Sequence, residues 1–414
     1  TIYEAVAGSG SILITGADVS ITTDDDALTF DAGNIVLSTA GTTTISTGTG
    51  GGALQVDGTI DGTGSQAENL TVTTGTGSAT FDGTIGGTTP LTTISINASG
   101  AGAINLVGIG DTDTVGTTGG GTATVGSTDT TTLTLDGSFY STDGLQLYTA
   151  VTGGGNIDIT GTSAAFTTTN DNVTFATSGV DLSNEGTTTI NTGTGAGAVT
   201  FGAAIETDDA THDDVLTITS GTGTVTFTGA IGATNELGGL NVNASAGTGE
   251  IVFTSTIGDT NGTQAGVIGT TNIGNTTTAK VNFDAALYSF DGATTFEASD
   301  STNSGETFDI STATTIETAG DTLSFTGGTI DLDNGANLTM TSSGGAITVN
   351  GVVGDSSETV SISAGTTVGA TDTVNITGNI GNADEILSVA ITGADGITLS
   401  GTTIDTANAA NPNI

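Results

Sequence analysis

The sequence predicts an all-β fold, a parallel β-solenoid (β-helix) of about three strands per coil of about 25 residues, and three observations predict it. Text repeats on a long period: Leu28 to Thr47, LTFDAGNIVLSTAGTTTIST, returns at Val173 to Thr192 and at Leu323 to Ser342, offsets of 145 and 150 residues. Phe30 is answered by Phe175 and Phe325, Leu37 by Leu182 and Leu332, and Ile45 by Ile190 and Met340. Within that period apolar residues recur at a much shorter interval. The third observation is composition: 68 Gly, only 2 Pro and abundant Thr suit many short strands joined by tight turns.

Taken in order, residues 1–23 already alternate, with Ile12, Ile14, Val19 and Ile21 as apolar beats, which is a strand pattern. Asp24, Asp25 and Asp26 then read as a solvated turn. Three apolar rows follow. Phe30, Val56, Phe81 and Leu106 lie 26, 25 and 25 residues apart, and Ile35, Ile60, Ile85 and Ile109 lie 25, 25 and 24 apart. Ile21, Ile45, Val72 and Ile96 are spaced 24, 27 and 24. The second long repeat gives the same interval, since Phe175, Phe201, Phe227 and Phe253 are each 26 apart. One such coil is too small to bury its apolar side, so coils must stack with like rows in file. Residues 114–132 and 260–278, rich in Gly and Thr, break the rhythm and read as wider loops or irregular coils. Helical spacing is absent throughout.

Matching blocks extend the long repeat. FDGTIGGTTPLTTISINAS from Phe81 answers FTGAIGATNELGGLNVNAS from Phe227, and ITGNIGNADEILSVAITG follows from Ile376; Tyr140 returns as Tyr288. The expected organisation is a single continuous solenoid over 1–414, with internal modules of roughly 1–172, 173–322 and 323–414.

The charge is lopsided. With 44 acidic groups against one Lys and no Arg, the formal charge is −43, yet only 11% of residues are charged and 34% are apolar. That apolar content separates the chain from acidic disordered sequences. Without cations it cannot neutralise a phosphate backbone, which excludes nucleic acid as a partner, and anionic membranes would repel it. Zero Cys removes disulfide, thiolate and iron–sulfur chemistry. No apolar run approaches the roughly 20 residues of a spanning helix, so the chain is expected not to span a membrane. Beginning at Thr1 without a basic, apolar leader, it reads as a mature or excised piece of an exported polypeptide.

GTGTVTFTGAIG from Gly221 and LNVNASAGTGEIVF from Leu240 resemble the very large secreted bacterial β-helix proteins of the filamentous haemagglutinin and autotransporter-adhesin type. The resemblance covers most of the chain and carries no site residue. It implies an extracellular adhesive or structural role at a bacterial cell surface and nothing about a receptor; beside self-association, a surface carbohydrate or protein receptor stands as a separate expectation.

The residues offer little chemistry. Asp208, Asp209, Asp213 and Asp214 around the single His212 form the densest acidic cluster, able in principle to hold a metal or to act as acid and base, but turns favour Asp for ordinary backbone reasons. Asp331, Asp333, Asn334 and Gly335 match part of a calcium loop that lacks the Glu at the required spacing. No cofactor is expected beyond weakly bound Ca²⁺ spread over closely spaced carboxylates. Lys280 reads as an ordinary outward side chain, with an isopeptide bond to a nearby Asp or Asn as the alternative. Polysaccharide lyases of this architecture generally need an Arg or Lys base and glycosidases a carboxylate pair in a cleft, so no enzymatic activity is expected. Thr-x-Thr text raises ice binding, weakened because Thr positions look less strictly spaced than the apolar rows. The expected function is a structural filament, sheath or stalk built by end-to-end self-association, or alternatively an adhesin segment.

Overall fold

The computed structural model describes residues 1–414 apart from 6–9, 65–66, 99–101, 114, 209–213, 244–245, 261–263, 300–306, 366–370, 382–383, 402 and 408–414. It is a β-solenoid of parallel stacked coils of about 25 residues, with no helix among the described residues. Two compact units divide it, Thr1–Ile205 and Glu206–Ile414.

In the first unit each coil contributes to three parallel sheets, here the first, second and third faces. The first coil lays down Ile2–Glu4, Ser11–Ile14 and Val19–Thr22; the next adds Leu28–Asp31, Asn34–Leu37 and Gly41–Ser46 directly against them. All three predicted rows hold. Phe30 pairs with Val56, Val56 with Phe81 and Phe81 with Leu106 on the first face. Ile35, Ile60, Ile85 and Ile109 succeed one another on the second, and Ile21, Ile45, Val72 and Ile96 on the third. Alternation turns every second residue inward, so Phe30, Ile35, Ile45, Val56 and Phe81 are fully buried while the residues between them face outward.

The second unit is built the same way from sheets begun by Val215–Thr219, Val225–Phe227 and the bridge at Ile231. Aromatic rings stack within each unit. Phe175 lies 5.0 Å from Phe201 at 10° in the first, and Phe227 lies 5.0 Å from Phe253 at 4° in the second. The two segments expected to be irregular are coils with longer turns: Leu106 pairs with Leu135, and Phe253 with Phe283, while Ala123–Gly126 and Thr271–Gly274 keep their sheets continuous.

The long sequence repeat does not stack on itself. From Phe30, six steps along the first face pass through Val56, Phe81, Leu106, Leu135 and Ile159 to Leu182. Its sequence counterpart Phe175 stops seven residues short of Leu182 and lies on the third face, paired with Tyr148 and Phe201. The 145-residue period is therefore about a third of a coil short of six coils. The second unit repeats the displacement: Phe227 shares a sheet with Phe253 and Phe283, whereas its counterpart Ile376 pairs with Val349 and Leu399 in another sheet. Equivalent text thus moves to a neighbouring face with each module.

Candidate functional site

The predicted acidic cluster is only partly visible. Asp209, His212 and Asp213 lie outside the described residues; Asp208 is exposed, and Asp214 is buried, its carbonyl accepting the Gly238 N–H at 2.8 Å. Asp331 and Asp333 flank the buried Leu332 and both face outward. Asp331 is in register with Asp309, and the Asp333 carbonyl closes a turn by accepting the Ala336 N–H at 2.8 Å. The Gly335 N–H that would shape a calcium loop is instead donated to Glu358 at 2.7 Å. Among the described residues no group of three or more His, Cys, Asp or Glu is placed to hold a metal ion. Lys280 forms an ion pair of 2.8 Å with Asp309, both about a quarter exposed or less.

Sequence reading missed a repeated buried carboxylate. Glu68, Asp214 and Glu358 stand at the start of equivalent strands, Glu68 as the first residue and the other two just before it, in AENLTVTT, DDVLTITS and SETVSISA, at offsets of 146 and 144 residues. All three are buried. Glu68 accepts the Thr63 hydroxyl at 2.8 Å and the Ala67 N–H at 3.1 Å. Glu358 accepts the N–H groups of Gly335, Asp355 (2.6 Å) and Ser357 (3.1 Å), together with the Ser357 hydroxyl. Burial acts to raise the Glu358 pKa, but the Ser357 hydroxyl and the converging N–H groups prevail and lower it from the ordinary 4.5 to about 2. A second pair of carboxylates braces turns one coil on. Asp61 accepts from Thr88 (2.8 Å) and Thr89 (3.3 Å), and Glu206, 145 residues later, from Thr234 and Asn235, both at 3.0 Å. Burial nevertheless leaves the Glu206 pKa raised, the N–H groups of Asn235 and Thr234 offsetting only part of it.

Tyr140 and Tyr288 are likewise structural. Each hydroxyl accepts an N–H three residues back, from Gly137 (2.8 Å) and Ala285 (3.0 Å), and donates to a carbonyl one coil earlier, Leu106 (2.8 Å) and Phe253 (3.1 Å). Burial pushes both phenols above their usual range, so neither is poised for proton transfer.

The outer surface is partitioned by charge. On the first face of the first unit, carboxylates recur at or just after the strands, at Asp31, Asp57, Asp82, Asp136, Asp158 and Asp181. Neutral donors bridge them: the Gln55 amide reaches Asp57 and Asp82, both at 2.8 Å, and Ser183 reaches Asp158 at 2.7 Å. Asp158 and Asp181 are direct register partners. On the third face, by contrast, the outward column Ser20, Thr44, Thr71, Ser95, Thr124, Leu147, Thr174, Thr200 is uncharged and strictly in register. The column keeps the spacing of the inward row one residue on, from Ile21 to Phe201, while Ser20, Ser95 and Leu147 interrupt its Thr, which is the looser Thr pattern expected from the sequence. In the second unit a groove of about 560 Å³ crosses successive coils, lined among others by Glu236, Gln264, Asp291, Glu317, Thr341 and Ser363.

These features define a parallel β-solenoid in which polar groups that recur from module to module hold turns together. Compared with known proteins, the chain matches no family model, no curated protein and no solved structure.

Proposed function

We propose that this chain is a non-enzymatic, extracellular structural protein that forms or belongs to a bacterial surface filament, sheath or stalk through end-to-end stacking of coils. The supporting observation is the ladder itself: each coil offers the next a complete set of strand edges in fixed register. Among the described residues, strands Ile2–Glu4 and Ser11–Ile14 are paired on one side, with Ile2 69% and Leu13 57% exposed, and Gly396–Leu399 is likewise paired on one side, with Leu399 52% exposed. Any in-register coil extends such an edge, whether from the continuing polypeptide or from a second copy. Sedimentation and negative-stain imaging over a concentration series test this. Concentration-dependent fibres that Leu13→Lys and Leu399→Lys abolish are expected, and a wild-type chain that stays monomeric throughout sinks the stacking reading.

The adhesin reading draws support from the groove in the second unit, whose hydroxyls and carboxylates suit hydrogen bonding to a neutral carbohydrate. Glycan binding lost on Glu317→Ala would favour it.

A further inference from the structure

We propose that the third face of the first unit binds ice. From Gly41–Ser46 through Val199–Phe201 this face carries one outward column, flanked over its first coils by two more. The central one is Thr44, Thr71, Ser95, Thr124, Leu147, Thr174 and Thr200. On one side stand Thr42, Asn69, Thr93 and Thr122, and on the other Ser46, Thr73 and Asn97. Adjacent coils repeat at about 4.8 Å and alternate strand residues at about 6.7 Å, so the central column runs for about 30 Å and the three columns together form a rectangular grid about 10 Å long and 13 Å wide over the coils of Thr44, Thr71 and Ser95. Water oxygens on the prism face of hexagonal ice repeat at spacings close to both.

Three independent features point to a crystalline, uncharged occupant. The first is the two-dimensional period, which a single small ligand could not use but a lattice can. The second is charge: in a chain with 44 acidic residues, none of these outward positions bears a carboxylate, whereas the first face carries them from Asp31 to Asp181. The third is hydrogen-bonding capacity. The side-chain hydroxyls of Thr44, Thr71, Ser95, Thr124, Thr174 and Thr200 take no partner among the described residues; Thr93, which donates to Asn69 at 2.7 Å, and Ser46, which accepts the Gly48 N–H at 3.3 Å, are the ones engaged. Each free hydroxyl can anchor a water, while the threonine methyl beside it restricts that water's other neighbours. The grid therefore orders a first water layer in a lattice-compatible arrangement, which a carboxylate's tight hydration shell would disrupt.

This inference does not depend on self-association, and its test is read on the full 414-residue chain. Thermal hysteresis, ice-crystal shaping and partition of the protein into a slowly growing ice hemisphere are measured for the wild type, for Thr71→Lys and Thr44→Lys, and for Thr134→Lys, which adds the same charge to an outward position of the first face. The wild type and Thr134→Lys are expected to shape crystals and enter the ice, and both third-face variants to lose these properties while keeping wild-type circular dichroism and unfolding midpoint. Exclusion of the wild type from ice overturns the proposal, as does retention of ice partition by both third-face variants, or its equal loss in Thr134→Lys. Binding to an insoluble neutral polysaccharide without any effect on ice also overturns it.

Discussion

Glu358 carries the clearest consequence of a single side chain. Three backbone N–H groups and one hydroxyl converge on its carboxylate, and together they hold the turn after Val353 against the turn at Gly335 on the preceding coil. Its pKa falls from 4.5 to about 2 on folding, so the native state binds fewer protons than the unfolded state between those values. The carboxylate's contribution is complete above its unfolded pKa and is lost as pH falls through about 2. Glu206 works with the opposite sign: its raised pKa means that ionising it above the unfolded value costs stability, so it favours the fold at low pH. Replacing Glu358 with Ala leaves the donors unpaired and is expected to lower unfolding free energy by about 1–3 kcal/mol at neutral pH. Urea unfolding across the acid range checks the sign, because the wild type and variant should converge near pH 2. A constant difference at all pH values would assign the loss to packing.

At the scale of elements, the coil is closed by glycines that no other residue can replace. Gly86, Gly232 and Gly381 occupy the same place in FDGTIGG, FTGAIGA and ITGNIGN, with φ of 72°, 62° and 70°. A Cβ on Gly232 would lie 2.0 Å from the Gly266 carbonyl oxygen, and on Gly86 2.3 Å from that of Gly116. The left-handed backbone and the close approach of the neighbouring turn thus exclude a side chain independently. Gly232→Ala is expected to destabilise the second unit by more than the roughly 1 kcal/mol of a strained φ alone, which denaturant melts would reveal. Asp25 and Asn170 show the same logic with a side chain: both have positive φ, and the Asp25 carboxylate and the Asn170 amide oxygen accept the N–H of Gly50 and Gly195 on the next coil, each at 2.5 Å. The turn at Asp24, Asp25 and Asp26, read from the sequence as merely solvated, therefore pins one coil to another. What sequence made legible was the inward half of each strand, since Phe30, Ile35 and Ile45 must be apolar in every coil and so keep a visible spacing. Outward positions escape that constraint. The outward column of the third face was obscured because Ser20, Ser95 and Leu147 interrupt its Thr, and Glu68, Asp214 and Glu358 because they alternate Glu with Asp among many other acids. The face change between modules was invisible for a different reason: alignment of Phe30 with Phe175 records similarity and carries no rotational phase.

For the whole molecule, charge sets a condition on the stacking proposed above. A formal charge of −43 with one lysine makes every encounter between two copies repulsive, while the force extending a ladder is short-ranged, made of edge hydrogen bonds and the apolar side chains of strands such as Gly396–Leu399. Salt changes the first and barely touches the second. Screening shortens from about 30 Å at 0.01 M to about 10 Å at 0.1 M ionic strength, so the repulsion between coils approaching end to end collapses over that range. Self-association is therefore expected to be weak at low ionic strength and to rise steeply towards 0.1 M, with Mg²⁺ or Ca²⁺ more effective than Na⁺ at equal ionic strength, because register partners such as Asp158 and Asp181 stand side by side. Light scattering against ionic strength for each cation tests this, and the wild type should respond far more than a chain in which Asp31, Asp57, Asp82 and Asp136 are changed to Asn. Association that weakens as salt is added would mean that copies attract through charge, which a surface with this composition cannot supply from itself, and would direct attention to a cationic partner instead.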